Sequence, residues 1–195
     1  MSVNLKKGQK VSLTKESAGL TKVIVGLGWD EADQKRSFFS SQPQPIDCDA
    51  SAILLTNGRI AANSDIVYYN ALRHPSGSVV HQGDNLTGAG AGDDEQIIVD
   101  LANVPPKYDR IIFAVNIYKA YERSQQFGMI NNAFIRLVDA RNGSEICRYN
   151  LSDNYNGMTA MIFGEIYRHE GEWKFNAIGQ ATRDASLTET VKRYV

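Results

Sequence analysis

Arg110-Ile111-Ile112-Phe113-Ala114-Val115-Asn116-Ile117-Tyr118 carries apolar side chains at almost every position, on both faces of an extended chain. Such a run, with Pro105-Pro106 breaking the chain before it, reads as a strand buried at the centre of a sheet. Working outward, Glu95 to Leu101 reads as a strand. Ala133 to Asp139 alternates, with Ala133, Ile135 and Leu137 on one face. Arg141-Asn142-Gly143-Ser144 is a hairpin turn into Glu145 to Asn150. Thr159 to His169 and Glu172 to Ile178 form a last hairpin about Glu170-Gly171. Earlier in the chain, Val11 to Thr14, Lys22 to Leu27, Ile46 to Thr56, Ile66 to Asn70 and Ser78 to His81 are further strands. Gly28-Trp29-Asp30 closes the second of these, and Asn57-Gly58 is a tight turn. Short runs between turn signals predict an all-β fold, a two-sheet β-sandwich. Lys119 to Phe127 is a short helix or a long connection. Ser186 with Glu189 makes a capping box, and Leu187, Val191 and Tyr194 share one helical face. A short C-terminal helix therefore packs on the sandwich. Residues 1–195 read as a single domain.

Composition excludes several classes. Apolar residues make up 43% of the chain, as in a folded protein rather than a disordered tail. The 21 basic and 22 acidic residues nearly cancel, so no net field draws nucleic acid. Cys48 and Cys147 are too few for a disulfide framework or a Cys-rich zinc site, and each reads as a small buried hydrophobe. No signal-peptide core or transmembrane segment is present, so a soluble, cytoplasmic protein is expected. His74, His81 and His169 stand apart and read as surface or hydrogen-bonded residues. Tyr118, Tyr121, Phe127 and Tyr167 read as core.

The chemistry concentrates in Gly83-Asp84-Asn85-Leu86-Thr87-Gly88-Ala89-Gly90-Ala91-Gly92-Asp93-Asp94-Glu95. Acids this close repel one another unless a cation sits among them, and a Gly-rich backbone can turn its carbonyls inward. Ca²⁺, one ion or two, is the first reading, and a solvated turn is the plain one. Asp47 and Asp49 lie two apart on a strand and project from one face, with Cys48 and Ala50 on the other. Folded over that pair, the loop would gather Asp47, Asp49, Asp84, Asp93, Asp94 and Glu95, with Asn85, Thr87, Gly88 and Gly90 supplying further oxygens. Asp30, at the end of its strand, adds another acid, and Trp29 beside it could line the site. No EF-hand, P-loop or Rossmann pattern fits. Asp153 to Gly157 reads as an ordinary Asx turn. A carboxylate-pair hydrolase built on Asp93 and Glu95 is the enzymatic alternative.

These stretches resemble the TerD family of tellurium-resistance and general-stress proteins (TerD/TerZ-like). The matching segments are Val25-Gly26-Leu27-Gly28-Trp29-Asp30, Ile46-Asp47-Cys48-Asp49-Ala50-Ser51, and Gly83 to Gly88 with Gly92-Asp93-Asp94-Glu95. Val115-Asn116-Ile117-Tyr118 and Phe163-Gly164-Glu165-Ile166-Tyr167-Arg168 match as well. The resemblance implies a sandwich that binds Ca²⁺ through its acidic loops and serves bacterial tellurite resistance and stress responses without established catalysis. It implies protein partners among other stress or tellurium-resistance proteins. Carried over by position, the acids are Asp30, Asp47, Asp49, Asp84, Asp93, Asp94 and Glu95. Cys48 replaces the leucine of many relatives, and a segment from Phe38 to Pro45 departs from the family pattern. A metal-dependent scaffold or sensor is the expected function, with a metal-dependent hydrolase or phosphate-ester enzyme as the alternative.

Overall fold

A computed structural model describes residues 2–31, 44–83, 92–151, 153 and 155–195. Of the segment from Phe38 to Pro45, residues 38–43 fall outside them, as does the loop from Asp84 to Ala91. The first sheet contains, in chain order, β1 (Val3–Leu5), β3 (Lys22–Glu31), β6 (Val79–His81), β7 (Glu95–Asp100), β9 (Ile130–Asp139) and β10 (Glu145–Asn150). The second contains β2 (Lys10–Ser12), β4 (Cys48–Leu55), β5 (Ile66–Val67), β8 (Arg110–Ile117), β11 (Ala160–His169) and β12 (Glu172–Thr182). Across the first sheet the order is β1-β10-β9-β3-β7-β6, and across the second it is β2-β12-β11-β8-β4-β5. All neighbours are antiparallel except β1, which runs parallel to β10 with Val3 opposite Cys147.

The doubly apolar run is β8, and the sandwich gives each of its faces a reason. Ile111, Phe113, Val115 and Ile117 belong to the core between the sheets, with Val25 and Leu27 of β3, Ile97 of β7 and Leu54 of β4. Ile112 and Ala114 point outward, where with Ile53, Leu55 and Ile162 they pack under the C-terminal helix α2 (Leu187–Val191). Leu187 and Val191 of the helix make that contact with Tyr194 of the 3₁₀ turn that follows it, as their spacing predicts. The expected capping box does not form. The Ser186 side chain makes no cap bond, and the Glu189 carboxylate accepts from the Ala185 N–H at 2.7 Å. No helix among the described residues is long and apolar enough to cross a membrane.

Several boundaries differ from those read in the sequence. The strand expected from Val11 to Thr14 ends at Ser12, whose side chain caps a single helical turn, α1 (Leu13–Glu16). Of the two readings of Lys119 to Phe127, Lys119 to Gln126 takes the connection, made of turns, with a short 3₁₀ turn at Phe127–Met129, and Tyr118 and Tyr121, expected in the core, stand exposed at its start. The largest difference is β3, which runs on through Gly28-Trp29-Asp30 to Glu31. Gly26 and Gly28 are not terminators there. Each leaves room for a side chain from a neighbouring segment. A Cβ on Gly26 would fall 2.2 Å from an Asp93 carboxylate oxygen, and one on Gly28 would fall 2.4 Å from the Phe134 ring. The Phe134 ring cannot easily retreat, because the Arg148 guanidinium lies 3.6 Å from its centroid. Gly26→Ala and Gly28→Ala are each expected to cost about 1–3 kcal/mol of stability, the usual range for overpacking. A lowered urea midpoint with unchanged slope is the measurement.

Candidate metal centre

The strand directions bring the acids to one end of the sandwich. Asp30 lies at the far end of β3, and Asp93 and Asp94 lead into β7, which runs antiparallel beside it. Asp47 and Asp49 stand at the start of β4. Although Asp93, Asp94 and Glu95 are consecutive, their carboxylates go to three different places, because side chains on an extended chain alternate faces.

Asp93 turns onto the outer face of the first sheet, over Gly26. Its side chain is 1% exposed, and both oxygens are held by Arg136, Nε to Oδ1 at 2.7 Å and Nη2 to Oδ2 at 3.1 Å. The Gln96 side-chain amide donates to the same Oδ2 at 2.9 Å. Such a bidentate pair is a strong, geometrically fixed interaction. Asp94 instead stitches the loop to the end of β3. Its backbone N–H donates to the Leu27 carbonyl at 2.8 Å, and its carboxylate accepts from the Trp29 N–H at 2.7 Å. Burial pushes the Asp94 carboxyl up, the Trp29 bond opposes this, and Asp30, Asp93 and Glu95 push it further up.

Glu95 points inward. It is 2% exposed, and its Oε2 accepts the Ala50 N–H of β4 in the opposite sheet. That N–H needs a partner because β5 pairs only with Ala52 and Ile53 and stops short of it. His81 Nε2 lies 3.5 Å from the same oxygen, and His81 Nδ1 accepts the Gly83 N–H at 3.0 Å. In the neutral ring the proton therefore sits on Nε2, facing Glu95.

The remaining acids take other positions. Asp47 is exposed, with Arg123 at 3.6 Å, and Asp49 faces the outer side of the second sheet, as the strand period predicts. Cys48 faces inward as expected, but the inward side is not free of acid. Burial pushes its thiol well up, and Glu95, Asp49, Asp47 and Asp94 add to the rise. Asp30 is exposed, and the Asn132 side-chain amide donates to its Oδ2 at 2.8 Å. Trp29 is half-buried, packed against the core. Asp84, Asn85, Thr87, Gly88 and Gly90 lie outside the described residues. Among those described, no group of three or more His, Cys, Asp or Glu side chains closes on one point. The donors fit a hard cation in kind, being oxygens in a negative field, while Asp93 is already neutralised by Arg136.

Sequence reading missed Arg136, Gln96 and His81. An arginine among the otherwise apolar residues Ala133 to Val138 was the available signal for the first. His74 and His81 are buried and His169 exposed. His74 is held by Ser76 at 2.7 Å and by the Tyr108 hydroxyl at 3.1 Å.

Fold and site together define a two-sheet β-sandwich with an acidic cluster at one end. The TerD domain model matches residues 1–194, and the chain belongs to that family. The stress response protein SCP2 of Bacillus subtilis is 50% identical over 199 residues, covering 100% of both chains. The tellurium resistance protein TerD of Serratia marcescens is 49% identical over 181 residues, covering 92% of this chain and 91% of that one. A crystal structure of a Streptomyces coelicolor homologue of telluride resistance protein (TerD) superposes with a TM-score of 0.62. It shares 22% identity and covers 88% of this chain and 98% of its own. The family is thus one of tellurium-resistance and general stress-response proteins.

The two neighbouring aspartates should respond in opposite ways in metal-free protein at neutral pH. Asp93→Asn breaks a largely buried pair and is expected to lose on the order of 2–3 kcal/mol, at the low end because Arg136 keeps contact with water. A carboxyl whose folded-state pKa is raised opposes folding while ionised, and the penalty fades as pH falls through that value. Asp94→Asn should therefore keep or slightly raise stability, since an amide oxygen still accepts from Trp29. Chemical denaturation in chelator reads both.

Proposed function

We propose that this protein is a calcium-binding bacterial stress-response protein associated with tellurite resistance, working in the cytoplasm as a metal-dependent scaffold or sensor. The observation that carries the reading is Asp94, a half-buried carboxylate held beside Asp30, Asp93 and Glu95 with its charged form disfavoured. A cation placed there relieves that repulsion. Asp30 and Asp94 would hold the ion, with Asp47, Asp49 and Glu95 contributing charge. Asp84, Asn85, Thr87, Gly88 and Gly90 would supply further oxygens of the kind Ca²⁺ takes. Asp93 acts through the fold, as the Arg136 partner that fixes where the loop re-enters β7. Its neutralisation also weighs against a hydrolase that would pair it with Glu95, and favours a non-catalytic role. Bound Ca²⁺ supplies binding energy at the acidic end, and the metal-bound form then presents a surface to a partner from the stress or tellurium-resistance proteins.

Melting with Ca²⁺ against chelator tests the reading. Ligand at a hundred times its dissociation constant should add about 2.7 kcal/mol. Asp94→Asn should lose most of this shift, and Asp153→Asn, whose carboxylate pairs with Lys7 on the surface, should keep it. An unmoved midpoint in the unaltered protein would rule the calcium site out. Pull-downs with and without chelator then separate a partner-presenting role from simple storage.

A further inference from the structure

The turn that leads into β6 carries a chain of polar side chains that the acidic end does not use. Asp65, at the end of a 3₁₀ turn, is 1% exposed and His74 is 3% exposed, while Ser76 stands on the surface. The backbone fixes the direction of each proton between them. The Ser76 N–H donates to His74 Nδ1 at 3.1 Å, so that nitrogen is the bare, accepting one. The Ser76 hydroxyl, 2.7 Å from the same nitrogen, must then donate to it as well. The imidazole proton lies on Nε2 and faces the Tyr108 hydroxyl at 3.1 Å, with Asp65 Oδ1 at 3.5 Å. Tyr108 in turn donates to that oxygen at 2.6 Å. Asp65 Oδ2 accepts the Ala61 and Ala62 N–H groups at 3.0 and 2.9 Å. Burial pushes the Asp65 carboxyl up, but its bonds from Tyr108, Ala62, Ala61 and His74 outweigh this and hold it below the usual value. At neutral pH the group is therefore a buried anion.

We propose that Ser76 is a nucleophile and a covalent modification site, taking an acyl group from a small activated donor, a thioester or reactive ester. An exposed hydroxyl, a base that accepts its proton and a buried anion behind the base are the roles by which serine nucleophiles are activated. Asp65 and Tyr108 are positioning residues. They keep the imidazole in the tautomer that accepts from Ser76, and they face the imidazolium that forms. In the step, Ser76 Oγ bonds to the donor's carbonyl carbon, and the bond from that carbon to its leaving group breaks. The hydroxyl proton passes to His74 Nδ1 and from there to the departing thiolate or alkoxide, with no change of oxidation state. Ser78 donates its hydroxyl to Ser76 Oγ at 2.7 Å and its N–H at 3.3 Å, and only the longer contact has to give way to the incoming carbon. The same turn favours a lasting modification over turnover. An activated donor has a good leaving group, whereas the serine ester it leaves behind has a poor one and needs N–H donors for its oxyanion. Here the N–H groups of Ser76, Gly77 and Ser78 are all engaged, the second with the His74 carbonyl at 2.8 Å.

The test treats the full chain with p-nitrophenyl acetate and follows acetylation of each serine by peptide mass spectrometry. Ser64 and Ser144, also exposed, serve as internal standards. Ser76 is expected to be acetylated about a hundredfold faster than either, the lower end of what a positioned base contributes. The preference should vanish in denaturant, and His74→Gln should bring Ser76 down to the rate of the other two. The unaltered chain, native against denatured, decides the outcome even where a variant fails to fold. The rate should also fall as pH drops and His74 takes up a proton. Burial lowers the His74 value, Asp65 opposes this and Lys107 adds to it, so the fall lies below the usual imidazole range. Asp65→Asn should move it to still lower pH, a shift that a merely loosened turn would not give. Acetylation no faster at Ser76 than at Ser64 and Ser144, a preference that survives denaturation, or one that a folded His74→Gln chain leaves intact would overturn the proposal.

Discussion

The two sheets meet at their acidic end through the Glu95 carboxylate, which leaves β7 pointing inward and takes the Ala50 N–H of β4 across the core. A buried carboxylate is costly unless its oxygens are satisfied. Here the acceptor and a stranded backbone donor satisfy each other. Once Glu95 is committed to the interior, the alternation of an extended chain sends the residues before it elsewhere. Asp93 is placed over Gly26 for Arg136, and Asp94 is left at the rim beside Trp29. The acidic triplet is thus three devices rather than one. One ties the sheets together, one locks the loop to the outside of its own sheet, and one stays where an ion can reach it.

That division was only partly legible in the sequence. The central strand, the two-sheet architecture and the C-terminal helix follow from local patterns, because burial on both faces of β8 and the helical spacing of Leu187 and Val191 leave direct marks. That Asp49 stands on the face opposite Cys48 followed from strand period alone. Asp93 did not, because its partner lies on β9, far along the chain, and no local pattern announces that a glycine and an arginine will frame a carboxylate. The same blindness makes Gly28 read as a stop. A glycine that ends a strand and one that admits a neighbour's phenyl ring look alike in one dimension. The exposure of Tyr118 and Tyr121 had a similar cause, since the segment carrying them is turns rather than a packed element.

The two ends of the second sheet's outer face show how coverage sets composition. Where α2 lies on the strands, outward residues are apolar, and where it stops they become Ser51, Asp49 and Asn116. Asn116 sits at the boundary and joins both regions, its amide reaching back to Thr190 of the helix. A short helix thus both closes a small outer core and defines the wall of a groove. Movement of that helix would be felt in both.

The placement of the first two strands has a consequence for how the chain assembles. β1 pairs with β10 in one sheet and β2 with β12 in the other, so a dozen residues at the start clasp opposite layers. Both partners come from the last third of the sequence. Closing such distant pairs costs chain entropy before any contact repays it, and folds rich in them form slowly. During synthesis the opening segment must therefore wait, unpaired, until nearly everything else has emerged. The clasp is the last seam to close, β1 along the edge of β10 and β2 along the edge of β12.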